Sequence, residues 1–142
     1  MNIKEKSQAV VKEFSIFEDW MDKYSYLIEL GKELPLIDEK YKNETHLISG
    51  CQSRVWLHAD DENGKINFTA DSDAVITKGI ISLLINVLSG NTPTEIVNAD
   101  FSFLDEIGLK SHLSPTRANG LVSMVKQIQL YARALQLKSM RK

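Results

Sequence analysis

The chain has 142 residues, 43% of them hydrophobic, which is enough to bury the core of one compact domain without disulfides or a structural metal. We therefore expect a single domain over residues 1–142. Seventeen Lys and Arg against nineteen Asp and Glu give a net charge of −2, so the composition offers no general basic surface for nucleic acid or anionic lipid.

Two amphipathic helices are predicted at the start of the chain. Apolar residues within positions 3–14 indicate a short first helix. A second set recurs in steps of three and four over positions 17–28, with Ser15 and Glu18 matching a capping box ahead of it. Gly31 is a natural end for this second helix.

The middle of the chain is typical of β-structure. Short segments at residues 46–48, 54–59 and 66–70 predict three antiparallel strands with one apolar face. The Asn-Gly pair at residues 63–64 predicts a tight hairpin turn between the second and third strands. Cys51 would then lie in the polar turn between the first two strands.

Helical patterns return after the strands. A central buried helix is predicted to begin at Asp71 or Ser72, and Gly79 within it indicates a close approach of neighbouring backbone. The segments TPTE at 92–95 and SPTR at 114–117 carry start signals for a short helix and for a long closing helix. The order helix, sheet, helix predicts an α+β domain, a three-stranded antiparallel sheet packed against helices.

The apolar patterning and the cysteine count indicate the cellular location to expect. Charged and apolar residues alternate at the N-terminus, and the most apolar run, Ile80–Leu88, is far shorter than the roughly 20 residues of a membrane span. We expect neither a signal peptide nor a membrane helix. A chain whose one cysteine is Cys51 forms no internal disulfide, which is typical of a reducing compartment, so the expected location is the cytoplasm.

Cys51 is the candidate reactive group. A lone thiol is most often a buried, inert side chain. The neighbours of Cys51 are polar residues that seldom flank a core position, namely Ser49, Gln52 and Ser53. Because Gly50 also permits a turn with positive φ, we expect a thiol that is at least partly exposed.

Several chemistries for this thiol stay open on the residues alone. A metal site would require His46, His58 and His112, which are scattered singly, to gather around Cys51. A thiol hydrolase would use His58 as its base. Redox chemistry of the thioredoxin kind needs a second cysteine, which the sequence lacks. A single exposed thiol can also accept a group by exchange and keep it, which would make the protein a carrier.

Four segments, in this order and with these gaps, resemble the motifs of the SufE family of sulfur-acceptor proteins. They are ELGKELP at 29–35, SGCQSRVW at 49–56, DSDAVITKG at 71–79 and LSPTRANGL at 113–121. Each segment alone is a weak signal, but the four in register extend the resemblance over nearly the whole chain. The implied fold is similar to that of U-type iron–sulfur scaffold proteins, with the reactive cysteine in the loop between the first two strands.

The resemblance also implies a function. Cys51 would accept sulfane sulfur from the persulfide of a SufS-type cysteine desulfurase, stimulate that enzyme, and pass the sulfur to a SufBCD-type scaffold for iron–sulfur clusters. PLP would belong to the desulfurase, so the chain itself is expected to need no cofactor and no metal and to have no turnover of its own. A desulfurase regulator that carries no sulfur is the alternative. Monomer and homodimer both remain open.

Two departures from the family motifs leave the subtype open. Ala70 stands where a glycine commonly precedes the DSD motif, and Thr116 stands where serine is common. The Csd-type acceptors share the cysteine motif with the SufE type and serve a paralogous desulfurase.

The candidates for contacts within the cysteine loop or with a partner are Gly50, Gln52, Ser53, Arg54, Asp73 and Arg117. Arg54 raises the thiolate fraction if it lies beside Cys51 and is a solvated strand residue otherwise. Asp73 is either a helix cap or a restraint on the loop. Arg117 lies in a first helical turn, where positive charge is unfavourable, so we expect it to have an outside partner, a carboxylate or the loop. We expect the thiol to be sheltered at rest and to open on docking.

Overall fold

The structure is a computed structural model that describes residues 2–140; Met1 and residues 141–142, at the ends of the predicted domain, lie outside the described residues. The elements are α1 (Ile3–Ser15), α2 (Trp20–Lys32), β1 (Val55–Glu62), β2 (Lys65–Ser72), α3 (Val75–Leu88), α4 (Pro93–Val97), α5 (Ser102–Glu106), α6 (Leu109–His112) and α7 (Pro115–Met140), with 3₁₀ turns at Glu39–Tyr41 and Glu44–His46. Helices pack on a small antiparallel sheet, which confirms the α+β class. No helix within residues 2–140 combines the length and the hydropathy that a bilayer crossing requires.

The predicted boundaries of α2 are wrong at both ends. Ser15 is the last residue of α1, and its hydroxyl donates a hydrogen bond to the carbonyl of Lys12. The helix begins instead after Asp19, whose carboxylate accepts a hydrogen bond of 2.9 Å from the backbone N–H of Asp22. At the other end α2 continues past Gly31.

Later helix starts follow their sequence signals. Thr92 and Glu95 form a reciprocal capping box at the start of α4, with Pro93 in the first turn. The hydroxyl of Ser114 accepts a hydrogen bond of 3.3 Å from the backbone N–H of Arg117 in the first turn of α7. These caps depend on residues within one turn of each other, and the predictions for both helices are confirmed.

The centre of the core is α3, which packs on α2, β2 and α7. Buried residues cover most of its circumference, as the apolar pattern predicts. The predicted caps at Asp71 and Ser72 are wrong, because both residues belong to β2 and α3 begins after Ala74 without a side-chain cap.

A close crossing joins α2 to α3. A Cβ atom on Gly79 would lie 2.1 Å from the carbonyl oxygen of Leu27, and a Cβ atom on Gly31 would lie 3.1 Å from the backbone nitrogen of Gly79. The hydroxyl of Ser82 donates a hydrogen bond of 2.7 Å to the carbonyl of Leu30. The close backbone approach predicted at Gly79 is therefore confirmed, and its partner is α2.

The sheet is one hairpin. β1 and β2 pair antiparallel along their full length, joined by a turn in which Asn63 and Gly64 have φ values of 55° and 84°. Positive φ at both central residues is the geometry that an Asn-Gly turn favours. Alternate side chains of both strands are buried against the helices: Val55 and Leu57 from β1, and Ile66, Phe68 and Ala70 from β2.

The predicted third strand at residues 46–48 is wrong. This segment makes a single antiparallel bridge, Leu47 to Trp56, extended by one hydrogen bond of 2.8 Å from the N–H of Ile48 to the carbonyl of Val55. A 3₁₀ turn ends at His46, directly before the bridge, and the chain turns again at residues 49–50. These flanking turns leave too few extended residues for a ladder, so the sheet has two strands.

We predict that Gly79→Ala destabilises the fold by about 3 kcal/mol despite the higher helix propensity of alanine, because the new methyl group would meet the carbonyl of Leu27. Asn86→Ala, on an exposed position of the same helix, is the matched control and should leave the stability unchanged or slightly raised. The free energies of unfolding in urea provide the measurement. Equal values for the two variants would contradict the close crossing.

Candidate functional site

The cysteine loop, residues 49–54, connects the single bridge at Leu47 to β1. It places Cys51 against the N-terminal half of α7, with Sγ 3.7 Å from the carbonyl oxygen of Gly120. That distance suits a weak S–H···O hydrogen bond. The side chain is partly exposed, so the thiol lies neither deep in the core nor free in solvent.

Gly50 allows the loop to lie this close to α7. It has φ of +87°, and a Cβ atom there would lie 2.5 Å from the hydroxyl oxygen of Ser123. A Cβ atom on Gly120 would lie 3.5 Å from Sγ of Cys51, which is an ordinary van der Waals contact. Gly50 is therefore needed both for its backbone conformation and for its missing side chain.

The end of the loop is tied to the end of β2. The backbone N–H of Arg54 donates a hydrogen bond of 3.0 Å to the carboxylate of Asp73. In return, the carbonyl of Arg54 accepts hydrogen bonds from the N–H of Asp73, at 3.3 Å, and from the hydroxyl of Ser72, at 2.8 Å. Asp73 restrains the loop by these bonds and does not cap α3.

A cavity of about 330 Å³ lies beside the thiol. It is bounded by the cysteine loop, including Gln52 and Ser53, by Thr77 of α3 and by Arg117 of α7. Among the described residues that line it, Arg117 is the only charged one. The fold thus brings four of the sequence candidates, Cys51, Gln52, Ser53 and Arg117, to one space, while Arg54 and Asp73 lie outside its lining.

Burial decides the protonation of the thiol at rest. It raises the pKa of Cys51 above its ordinary value. The side chain of Arg54 is exposed, so the loop does not hold it as a buried cation against the sulfur. Burial therefore favours the neutral thiol, which is less nucleophilic than the thiolate.

Arg117 has no carboxylate partner. Its side chain is exposed, and no ion pair to it is found within residues 2–140. Arg117 and the cysteine loop line the same cavity, but no side-chain hydrogen bond joins them within residues 2–140. The arginine remains available for a negatively charged group that enters from outside.

The three histidines lie apart from the thiol. Nδ1 of His58 is 3.1 Å from Nε2 of His46, and its Nε2 is 2.9 Å from a carboxylate oxygen of Asp60, so both ring nitrogens of His58 are engaged. His112 stacks on Trp20. None of these histidines lines the cavity, and no group of three or more metal-ligating side chains is found in the described part of the chain. The geometry does not favour the hydrolase or the metal site.

Sequence patterns miss one ion-pair network that braces the site. Asp71 pairs with Lys42 at 2.6 Å and with Lys78 at 3.4 Å, and the ammonium of Lys42 lies over the ring of Trp56. Burial acts to raise the pKa of Asp71, but hydrogen bonds from Lys42 and from the N–H of Ser72, with the charge of Lys78, lower it overall. The network ties the loop before β1 to the hairpin and to α3.

Sequence patterns also miss two hydroxyl residues at the site, Thr77 and Ser123. Thr77 lines the cavity, and Ser123 lies against Gly50. The available signal for Thr77 is its polarity within a strongly apolar helix. For Ser123 no signal exists, because its contact is with a loop some seventy positions away.

Comparisons with known proteins agree on one family. The family model described as "SufE: Fe-S metabolism associated domain" matches residues 8–132. An uncharacterised SufE-like protein of Rhizobium etli is 40% identical over 125 residues, which are 84% of this chain and 84% of that protein. A SufE-like protein of Synechocystis is 40% identical over 128 residues, 90% of this chain and 80% of that one.

Two further matches extend this picture. SufE-like protein 1, chloroplastic/mitochondrial, of Arabidopsis thaliana is 39% identical over 134 residues, 94% of this chain but 36% of that longer protein. The solution structure of a hypothetical protein from Thermus thermophilus has a TM-score of 0.76 at 23% identity and covers 91% of this chain and 94% of that one. At this identity the likeness shows the fold alone.

We predict that Cys51 of the folded chain is alkylated more slowly at neutral pH than in the urea-unfolded chain. Because burial raises its pKa, the rate for the folded chain should reach half its maximum at a higher pH than that of an ordinary thiol, which does so near its pKa of about 8.5. Gly50→Ala should detach the loop from Ser123 and shift the profile toward that of the unfolded chain. Rates of iodoacetamide labelling against pH provide the measurement, and coincident folded and unfolded profiles would refute the shelter.

We predict that Asp71→Asn lowers the free energy of unfolding at pH 7 by about 1–2 kcal/mol, since the charged hydrogen bonds to Lys42 are weakened. The folded-state pKa of Asp71 is depressed, so its contribution is complete above the unfolded value of about 3.9 and is lost as the pH falls through the folded value. Urea unfolding from pH 7 to pH 2 should show the two curves converging. Asp105→Asn, at an exposed carboxylate, serves as the control.

Proposed function

Because the chain belongs to the SufE family, we propose that it serves iron–sulfur metabolism as a sulfur acceptor, taking sulfane sulfur from a cysteine desulfurase onto Cys51. The observation that carries this proposal is the placement of one partly exposed thiol at a cavity of about 330 Å³. A group the size of a water molecule takes about 30 Å³, so the space accommodates an added sulfur atom.

The proposed chemistry is thiol exchange. The thiolate of Cys51 attacks the terminal sulfur of a persulfide on the donor enzyme, a new S–S bond forms on Cys51, and the donor cysteine leaves as a thiolate. Atoms and electrons balance without an oxidant. Since no second cysteine is present in the sequence to displace the sulfur as an intramolecular disulfide, the persulfide is kept until another protein takes it.

The raised pKa of Cys51 gives this carrier a protected resting state. We propose that docking of the donor draws the cysteine loop away from α7, which removes the burial and restores an ordinary pKa. Gln52 and Arg54 are exposed on the same loop and are suited to contact the donor. Arg117, which has no ion pair in the described part of the chain, would meet negative charge that arrives with the sulfur.

The remaining parts of the proposal concern the partners. We propose a SufS-type desulfurase as donor, with PLP held by that enzyme, and a SufBCD-type scaffold as the next acceptor. The described residues that line the cavity include a single thiol and no histidine or carboxylate, which suits a sulfur carrier better than a cluster scaffold. The chain would act in the cytoplasm as an accessory protein without turnover of its own.

We predict that the chain, mixed with a SufS-type desulfurase, PLP and cysteine, gains the mass of one or more sulfur atoms, and that reductant removes them. Cys51→Ser should gain none. His58→Gln should gain as much as the unmodified chain, because both nitrogens of His58 are engaged away from the cavity. Intact-protein mass spectrometry provides the measurement.

Two results would reject this proposal in different ways. Sulfur retained by Cys51→Ser would place the acceptor elsewhere. Desulfurase activity stimulated equally by Cys51→Ala and by the unmodified chain would instead identify a regulator that carries no sulfur.

A further inference from the structure

Thr77 is exceptional among the buried polar residues. The described chain buries four uncharged polar side chains, Ser7, Thr77, Ser82 and Asn91, each less than 9% exposed. Ser7 and Ser82 donate hydrogen bonds to backbone carbonyls, and the Asn91 amide donates to the carbonyl of Leu88. Thr77 is 6% exposed, and its hydroxyl has no hydrogen-bond partner within residues 2–140.

Thr77 is one of the residues that line the cavity beside the thiol. No fully sealed side-chain nitrogen or oxygen in the described chain lacks a partner, so the hydroxyl of Thr77 retains a small accessible surface. Because the cavity is the space that Thr77 lines, we infer that this accessible part of the hydroxyl opens into it. A hydroxyl that bonds no protein group adds little to stability, and valine would fill the same volume. The hydroxyl is therefore placed to meet a group that enters the cavity.

The cavity favours a negatively charged group. Arg117 is the only charged residue among the described residues that line it, and Ser114 and Thr116 bring the N-terminal turn of the 26-residue helix α7 to the same wall. The carboxylate of Asp73, which follows β2, accepts a hydrogen bond from the backbone N–H of Arg54, and Lys78 of α3 pairs with Asp71. No lining carboxylate opposes an anion.

The sulfur of Cys51 itself is not that anion. Sγ lies 3.7 Å from the carbonyl oxygen of Gly120, which accepts a hydrogen bond from a neutral thiol and repels a thiolate. A negative charge one bond further out, on a second sulfur attached to Sγ, avoids this carbonyl. The cavity that Thr77 and Arg117 line is the open space beside Cys51 that such a terminal sulfur could enter.

We propose that a persulfide on Cys51 extends its terminal sulfur into the cavity, and that the Thr77 hydroxyl donates a hydrogen bond to this sulfur. This inference rests on the proposed function and names the residue that holds its product. The hydroxyl keeps its proton throughout. The S–S bond forms by attack of the Cys51 thiolate on a sulfane sulfur, whose former partner leaves with the electron pair.

The test loads the full chain with inorganic polysulfide, so that no desulfurase is needed. The rate of persulfide alkylation by iodoacetamide, measured against pH, gives the persulfide pKa. Thr77→Val should raise that pKa by about one unit, a tenfold increase in proton affinity, because one hydrogen bond to the anion is lost. Thr77→Ser keeps the hydroxyl and should restore most of the effect.

Three controls separate this role from a structural one. Thr69→Val, on the opposite face of the hairpin from the buried Phe68 and Ala70, should leave the persulfide pKa unchanged. In Thr77→Val the pKa of the unloaded Cys51 thiol should shift far less than that of the persulfide. The thermal midpoint of the unloaded variant should equal or exceed that of the unmodified chain, since the lost hydroxyl had no partner.

The outcomes distinguish the two proposals. Equal persulfide pKa values for Thr77→Val and Thr69→Val would overturn the role of Thr77, and so would failure of polysulfide to load Cys51. If the polysulfide-loaded chain shows the Thr77 shift but no desulfurase loads it, the proposed donor is wrong and the inference about Thr77 stands.

Discussion

The site depends on the contact between the cysteine loop and the N-terminal half of α7. Along this contact Gly50 packs against Ser123 and Cys51 packs against Gly120. An added side chain at Gly50 would collide with Ser123. The same contact buries the thiol, raises its pKa and encloses the adjacent cavity. The burial of the thiol and the cavity beside it are thus two results of one packing arrangement. Any motion that separates the loop from α7 changes both.

The rest of the fold holds the two sides of this contact in place. The α2–α3 crossing fixes α3, which supplies the cavity wall at Thr77, and the Asp71 network joins α3 to the hairpin that carries the end of the loop. The bonds between Arg54 and Asp73 anchor one end of the loop, and its other end is held by the bridge at Leu47 and the hydrogen bond from Ile48 to Val55.

Sequence reasoning succeeded where the interacting residues are near neighbours. The capping box at Thr92, the Asn-Gly turn and the polar loop around Cys51 each depend on a few consecutive positions, and each is present in the structure. It failed where two local signals competed: Asp19 lies closer to the start of α2 than the Ser15–Glu18 pair and caps it instead. The third strand failed for a related reason, because alternation over three residues does not exclude turns on both sides.

The sequence by itself determined the α+β order, the lone cysteine and the family to which the chain belongs, because these follow from local pattern and from motifs in register. Only the tertiary structure decided how deeply Cys51 is buried, that His58 is engaged elsewhere, and that Thr77 and Arg117 share a cavity with the thiol. The physical reason is distance along the chain. The pKa of a thiol and the partner of a hydroxyl depend on atoms that folding brings within a few ångströms from positions far apart in sequence, and no local pattern records those contacts.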